Sequence, residues 1–480
     1  MPVSDGRPAD ADASPVVADA PASRFMPVVM ASALFMDLLD TAALGTALPT
    51  MAREFHTEPV HLKLALTAYL MTMAILVPAS GWLADRFGAR RVFVNAVRIY
   101  LIGSLCCGLS NSLAQLVAAR VLQGIGGAMM TPVARLIVVA MTPREQLVSA
   151  MNIFTMPAVL GPLLGPPVAG LLLQVASWRW IFFLNLPVGI LGIVTVLRVL
   201  PRLRHPHPGP FDALGFVTAG LGIVGTIALS ESVGSGLLSG AMQFVVAICT
   251  LALWVFFARH ALRARCPILN LRLFTVRTFR ASMVGGAILR LGMGATPFLV
   301  PLQLQSALHW SPAKAGLVMS AMMLGSLLAR FGGTLAVRLL GFRSSLLITA
   351  LLTALLTAAP ACFTLDTPVA CVCMALLAVG FFRAAHYVAA TAIGFAEVPR
   401  GEVSRASTLS TVIQQLSLSF GVSFAGAALY LSAGVSTPTL PHQFVMPFAA
   451  LGVVCLLALP VYAVLDAQAG SHMRFGRRAS

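Results

Sequence analysis

Two aspartates, Asp37 and Asp40, stand three residues apart inside an apolar run that extends from about residue 26 to 50. That spacing puts both on one face of a helix. A carboxylate at the centre of a spanning helix costs about 2.5 to 3.5 kcal/mol on insertion scales, so an acid kept there calls for a reason. Desolvation penalises the charged carboxylate by a comparable amount, at about 1.36 kcal/mol per pH unit, so gain and loss of H+ come close to balance. Arg120 lies in a separate apolar run at a similar depth, at ~1.5 Å of rise per residue. Asp40 and Arg120 are therefore the candidate proton-coupling pair, with Asp37 as a second carboxyl: Arg120 favours charged Asp40 when close, and separation lets Asp40 take a proton. The alternative is a static ion pair that fixes helix packing.

These groups need helices in lipid to position them. Of 480 residues, 58% are hydrophobic and 10% charged, a balance outside the range of soluble domains. Long apolar runs without period-two alternation predict helices and exclude a barrel. Fourteen spans are expected, near 26–50, 63–84, 92–110, 114–140, 147–175, 180–200, 211–231, 237–258, 279–303, 313–340, 343–363, 368–395, 406–432 and 443–465. Of the 32 Lys and Arg residues, 22 then fall in the tails and on one side of the membrane, and only Arg53, Lys63, Arg179 and Lys314 on the other. The positive-inside rule makes the basic side cytoplasmic, with both termini there. The formal charge of +16 is thus mostly topology.

The same features exclude several functions. Scattered loop arginines are not the basic face of a nucleic-acid module. The only lysines, Lys63 and Lys314, are followed by Leu64 and Ala315, so no Gly-Lys-Ser/Thr phosphate loop exists and ATP is not expected as fuel. Short loops and the lack of a Ser, His and Asp set or an H-E-x-x-H pattern argue against an enzyme. Eight cysteines imply neither a disulfide framework nor a metal site, and no cofactor is expected. Residues 1–24 read as a disordered tail, not a signal peptide.

Gly81-Trp82-Leu83-Ala84-Asp85-Arg86-Phe87-Gly88-Ala89-Arg90-Arg91 follows the second span, and a weaker echo over 333–343 follows the tenth. The halves look duplicated, with the seventh and eighth spans inserted between two six-helix units. The expected division is a tail at 1–24, a first bundle at 25–205, two inserted helices at 206–260, a cytoplasmic linker at 261–278, a second bundle at 279–466 and a basic tail at 467–480. Gly81, Asp85, Arg86, Gly88 and Arg90 form a candidate conformational latch at a helix-to-helix turn. In the fifth span, Gly161 and Gly165 are one turn apart and allow a close helix neighbour, while Pro162, Pro166 and Pro167 bend it.

The Gly81 to Arg91 segment resembles the G-x-L-a-D-r-x-G-r-r loop of the major facilitator superfamily. Arg120-Val121-Leu122-Gln123-Gly124-Ile125-Gly126-Gly127 is similar to its fourth-span R-x-x-Q-G-x-G motif, and Gly161 to Gly170 to its fifth-span antiporter motif, with Ala169 replacing one glycine. Trp178-Arg179-Trp180-Ile181-Phe182-Phe183-Leu184-Asn185-Leu186-Pro187 resembles a stretch of the fourteen-span drug:proton antiporters of the EmrB/QacA type, and the chain looks most like the MdtD-like group within them. Leu39 to Pro49 resembles their first-span motif, with Gly45 where Asn is usual.

The resemblance implies an all-α fold of two six-helix bundles plus two central helices, and proton-driven export. Gly161, Pro162, Gly165, Pro166 and Gly170 would be the antiporter motif. The first and fourth spans of each unit would line the cavity, where Gln123, Arg290, Phe298, Arg383, His386 and Tyr387 are the candidates, with Phe381 and Phe382 as further wall residues. Four deep arginines, counting Arg120 and Arg330, against two aspartates predict an electropositive cavity preferring anionic or neutral amphipathic substrates. Arg98 and Arg135 are expected to snorkel. A proton-coupled importer or metabolite transporter on the same scaffold, and a non-transporting membrane sensor, remain the other readings.

Overall fold

The computed structural model describes residues 26–143, 146–200, 210–232, 239–264, 266–399, 402–433 and 440–466, so both expected tails lie outside the described residues. No strand occurs among the described residues, and fourteen helices are long and apolar enough to cross a membrane. They are α1 (Met26–Glu54), α2 (Lys63–Phe87), α3 (Ala89–Gly108), α4 (Leu113–Met141), α5 (Ser149–Val175), α6 (Arg179–Val199), α7 (Ala213–Ser232) and α8 (Gly240–Arg263). The second half holds α9 (Arg277–Ala307), α10 (Pro312–Leu340), α11 (Phe342–Cys362), α12 (Val369–Ala396), α13 (Arg405–Ser432) and α14 (Pro441–Ala463). Each expected span has its helix, with ends shifted by a few residues.

Polar side chains mark helix starts where the chain turns. Ser112 Oγ accepts the Gln115 amide at 3.3 Å before α4, and Asp212 Oδ1 accepts the Gly215 amide at 2.9 Å before α7. Glycine makes the two tightest reversals: Gly88, between α2 and α3, has φ 89°, and Gly341, between α10 and α11, has φ 80°. The duplication therefore aligns Gly88 with Gly341, one residue later than the ungapped echo suggests. The side chains over 330–338, including Arg330 and Arg338, are not described.

The two halves also repeat a packing pattern. In the first half α1 lies on α5 and α2 on α4, and in the second half α9 lies on α13 and α10 on α12. Small residues permit each approach. A Cβ on Gly165 would sit 2.8 Å from the Ala42 Cβ, and one on Gly380 would strike the Met322 carbonyl. Membrane helices gain little from burying apolar surface against one another, so close backbone contact replaces the hydrophobic drive.

The bundles meet through α1, α2 and α5 on one side and α9, α10 and α13 on the other. Pro297 and Pro301 interrupt α9, which widens into a π turn over Gln303–Ala307. From that turn Gln305 Nε2 donates to the Thr46 carbonyl of α1 at 2.9 Å. Pro312 and Gly316 of α10 lie against Gly170 and Pro166 of α5. These contacts gather at the membrane face that carries residues 55–62.

Helix α7 wedges between the halves, where Ile223 and Ile227 pack with Ala74 of α2 and Leu416 of α13. Helix α8 hangs on it through a hydrogen bond from Trp254 Nε1 to Thr226 Oγ1 at 2.9 Å. Its other face, with Phe244, Val245, Ile248 and Leu251, is exposed and apolar, as a lipid-facing surface requires. The segment after α8 is docked: Leu269 and Leu273 are buried with Phe279 and Val398, and Asn270 Nδ2 donates to Glu402 at 2.9 Å.

Candidate functional site

Asp40 and Arg120 meet in the middle of the first bundle. Arg120 Nη1 donates to Asp40 Oδ2 at 2.5 Å, and both side chains are fully buried. Nη1 also donates to Gln123 Oε1 at 2.6 Å, Nε donates to the Ala65 carbonyl at 3.2 Å, and the guanidinium carbon stands 4.3 Å from the centre of the Tyr69 ring. Nη2 has no hydrogen-bond partner among the described residues. Burial of a pair is tolerable only where the geometry is good and the remaining polar atoms are engaged.

The first-span Asn that Gly45 replaces is supplied from elsewhere. Asn185 of α6 donates through Nδ2 to Asp40 Oδ1 at 3.3 Å and to Ser104 Oγ at 3.0 Å, and Ser104 donates to the Phe182 carbonyl at 2.9 Å. Gly45 itself has a different duty: a Cβ there would run into the Pro297 carbonyl of α9. Membership of the α6 motif is the one signal in the sequence that points to Asn185, and the motif alone assigns its side chain no role. The Trp178 and Arg179 of that motif close the bundle end. Trp178 Nε1 and Arg179 Nη1 donate to the two Glu54 carboxylate oxygens at 2.6 and 2.5 Å.

Asp37, one turn along α1, accepts a hydrogen bond from the Tyr69 hydroxyl. Tyr69 thus touches Asp37 through its hydroxyl and Arg120 through its ring face, and it links the two carboxyls. Gly127 makes room for that hydroxyl, since a Cβ on it would sit 2.6 Å away. Gly161 and Gly165 pack on Leu38, Leu39 and Ala42, the turn of α1 that holds the aspartates, while Gly170 packs on α10 across the bundle interface. Of the motif prolines, Pro162 lies between the two glycines that touch α1, whereas the Pro166 carbonyl faces Gly316. One proline-interrupted helix therefore touches both the carboxyl-bearing turn and the opposite half.

In the latch segment, Gly81 and Arg86 are exposed and Asp85 is half-buried. Arg90 donates to the Leu197 carbonyl in the last turn of α6, inside the same bundle. Arg98 and Arg135 are exposed.

The candidate cavity residues divide into two groups. Gln123 belongs to the Arg120 cluster, and Phe298, 1% exposed, sits in the core shared by the two bundles. Arg290, Arg383, His386 and Tyr387 converge with Gly286, Met293, Thr353 and Ala390 around a small cavity of about 10 Å³ in the second half, room for the centre of about one water. Arg383 Nη1 donates to Thr296 Oγ1 at 3.0 Å. His386 bridges Thr349 Oγ1 and the Tyr462 hydroxyl, both at 3.0 Å. Arg290 lies 5.6 Å from the Tyr387 ring centre, and its Nη1 has no partner among the described residues. No carboxylate among the described residues forms an ion pair with Arg290 or Arg383. Phe381 and Phe382 are partly buried, with ring centres 5.2 Å apart.

A third buried acid is not among the residues that the sequence singles out. Glu231 near the end of α7 is 6% exposed and pairs with Lys63, which is buried rather than lying free in a loop.

The major facilitator superfamily model matches residues 30–263 and 282–474. The chain belongs to that superfamily of membrane transporters. It is 38% identical over 437 residues to multidrug resistance protein MdtD of Escherichia coli O157:H7, covering 90% of this chain and 92% of the relative. Among solved structures, a peptide transporter POT in complex with sulfate superposes with TM-score 0.68 at 16% identity, over 93% of this chain and 95% of that one. An inward-facing, unoccupied bacterial homolog of the human lysosomal transporter Spinster gives 0.66 at 15%, over 96% of this chain and all of that one. At such identities the likeness is one of fold.

Proposed function

We propose that the chain is a proton-coupled antiporter that exports small amphipathic compounds across the cytoplasmic, or inner, membrane by alternating access. Both termini lie in the cytoplasm, and the proton gradient is the energy source in place of ATP. One observation carries the reading: a fully buried carboxylate, Asp40, held by a single guanidinium on a different helix. Two charges in such a setting are stable together and costly apart, so a helix movement that separates them favours protonation of Asp40. Return of Arg120 then expels the proton. A proton crossing the membrane supplies about 2.3 kcal/mol per 100 mV, which biases the cycle in one direction. Asn185 and Tyr69 keep the two carboxyls oriented, and α5, in contact with both α1 and α10, relates that turn to the position of the opposite half.

Export, not import, is supported by the glycine and proline pattern of α5 and by a relative named for multidrug resistance. The substrate preference follows from the second half. Arg290 and Arg383 bury positive charge with no ion-paired acid among the described residues, so an anionic or neutral amphipathic compound suits that pocket once helix movement widens it beyond the room of one water, and a cation does not. Tyr387, 39% exposed, offers its ring at the rim.

Everted vesicles under an imposed inside-acid gradient test the proposal. The wild type is expected to accumulate a lipophilic anion in the lumen. Asp40→Asn is expected to abolish gradient-driven accumulation at a normal membrane level. Undiminished accumulation in that variant rejects the coupling assignment, and gradient-driven release of preloaded compound points to the importer.

A further inference from the structure

The inserted helices have no part in the coupling scheme, yet one of them carries a buried carboxylate. Lys63 Nζ at the start of α2 lies 3.1 Å from Glu231 Oε2 on α7, with side-chain exposures of 5% and 7%. Ser423 on α13, itself fully buried, donates to Glu231 Oε1 at 2.5 Å. Gly426, one turn along α13, gives the lysine its passage: a Cβ there would sit 2.7 Å from Nζ. Three helices from the first bundle, the insertion and the second bundle thus share one carboxylate.

We infer that Glu231 is a positioning residue of the transport cycle, which with Lys63 and Ser423 latches the two bundles shut at the membrane face carrying residues 55–62. Other contacts between bundles at that face, among the described residues, include backbone approaches at Gly45, Gly170 and Gly316 and a hydrogen bond from Gln305 to the Thr46 carbonyl. None of these involves a charge. A buried ion pair there adds a contact that is strong when dry and costly to break one-sidedly. It also explains a lysine in a chain that otherwise uses arginine almost throughout: a slim ammonium on a flexible stem passes the bare backbone of Gly426, where a planar guanidinium is broader. Opening this face requires α2 and α13 to part, so the three groups cannot all stay together. Ser423 is the uncharged partner, so its hydrogen bond to Glu231 is the weaker link, and it yields while Lys63 and Glu231 remain paired as water enters.

The latch is independent of proton coupling and of export, and its test needs neither gradient nor substrate. Thr46 is fully buried beside the closed face, and its hydroxyl has no partner among the described residues to lose. Thr46→Cys is labelled in intact membranes by a membrane-impermeant maleimide applied from the face of residues 55–62, with the parent chain as the measure of native-cysteine background. Glu231→Gln and Lys63→Met are each expected to speed labelling about fivefold or more by populating the open state. The exchange Lys63→Glu with Glu231→Lys should return it to within about twofold of the parent, and Ser423→Ala should speed it about twofold. Labelling at the parent rate in Glu231→Gln overturns the proposal, as does an exchange variant that labels as fast as the single ones. Should the charge variants be lost from the membrane, Ser423→Ala decides, and an unchanged rate there rejects the latch.

Discussion

The two halves of this transporter repeat the same helix pairings, yet they bury charge in opposite ways. On the first helix of the first half stands an acid, Asp40, closed onto Arg120 of the fourth helix. On the first helix of the second half stands a base, Arg290, and the fourth helix brings a second base, Arg383. The first site is balanced in charge, acid against base, although Arg120 Nη2 keeps no partner among the described residues, and its state changes only when helices move or a proton arrives. The second is not balanced, since no carboxylate among the described residues pairs with Arg290 or Arg383. A self-neutralised pair suits energy coupling, and a charge-deficient pocket suits a ligand that brings the missing charge.

The sharpest way to break this comparison is Arg120→Ala, which strands Asp40 in a dry environment. Removing one partner of a buried pair typically costs about 3 to 5 kcal/mol. Gradient-driven transport is expected to fall by two orders of magnitude or more, with lower thermal stability of the purified protein. The neutral combination Asp40→Asn with Arg120→Gln should regain stability but not coupling. Stability lost equally in the single and double variants would show that packing, not charge, governs the site.

The second half should behave in the reverse manner. Arg290→Ala and Arg383→Ala remove a charge that has no acid partner among the described residues, so thermal stability is expected to hold or rise. Affinity for an anionic substrate should drop about tenfold or more, as loss of a charge-assisted hydrogen bond worth about 1.5 to 3 kcal/mol implies. Transport of a neutral compound should stay within about threefold, since no full charge is exchanged. Equal losses for anionic and neutral compounds would remove the distinction between the halves. Binding by isothermal calorimetry alongside transport separates the two outcomes.

Much of the first site is legible in the sequence, because depth along an apolar run is a one-dimensional quantity that the order of residues carries directly. Counting residues from span ends matches Asp40 with Arg120. Rotation about the helix axis is another matter. A helix that is apolar on all sides has no polar face to set its phase, so the residue pattern groups Gln123 and Phe298 with Arg290, although the fold turns one toward Arg120 and the other into the core between bundles. Lys63 and Glu231 escape notice for a related reason. Charges near span ends read as loop charges, and only the packing of α2, α7 and α13 buries them.

Asn185 offers a smaller test of how complete the first site is. Asn185→Ala removes a hydrogen bond worth about 1 kcal/mol, and coupled transport is expected to fall about fivefold. Gly45→Asn should not rescue it, because a side chain at 45 meets the Pro297 carbonyl and disturbs the junction between bundles. Rescue by that double variant would mean that α9 withdraws from Gly45 more readily than the contact implies.

The smallest effect is expected at a less deeply buried acid, placed at a helix start. Asp212, just before α7, lies 2.7 Å from His260 Nε2 and accepts the Gly215 and Ile268 amides at 2.9 and 3.1 Å. Partial burial pushes its carboxyl upward, but the two amides and His260 outweigh this and hold it below the ordinary carboxylate value. A depressed value in the folded state means that stabilisation is present above the unfolded value of about 4 and is lost as pH falls through the folded one. Asp212→Asn is therefore expected to lower thermal stability slightly at pH 7, with the gap to wild type closing below about pH 4. The Asp212 side chain keeps 9% of its surface exposed and His260 24%, so solvent at the helix start still reaches the pair and screening keeps its contribution small. Transport should be nearly untouched. A loss as large as that of Arg120→Ala would show that complete burial is not what sets the Asp40 pair apart, since two carboxylates with comparable hydrogen bonding would then weigh alike at a helix start and in the dry core.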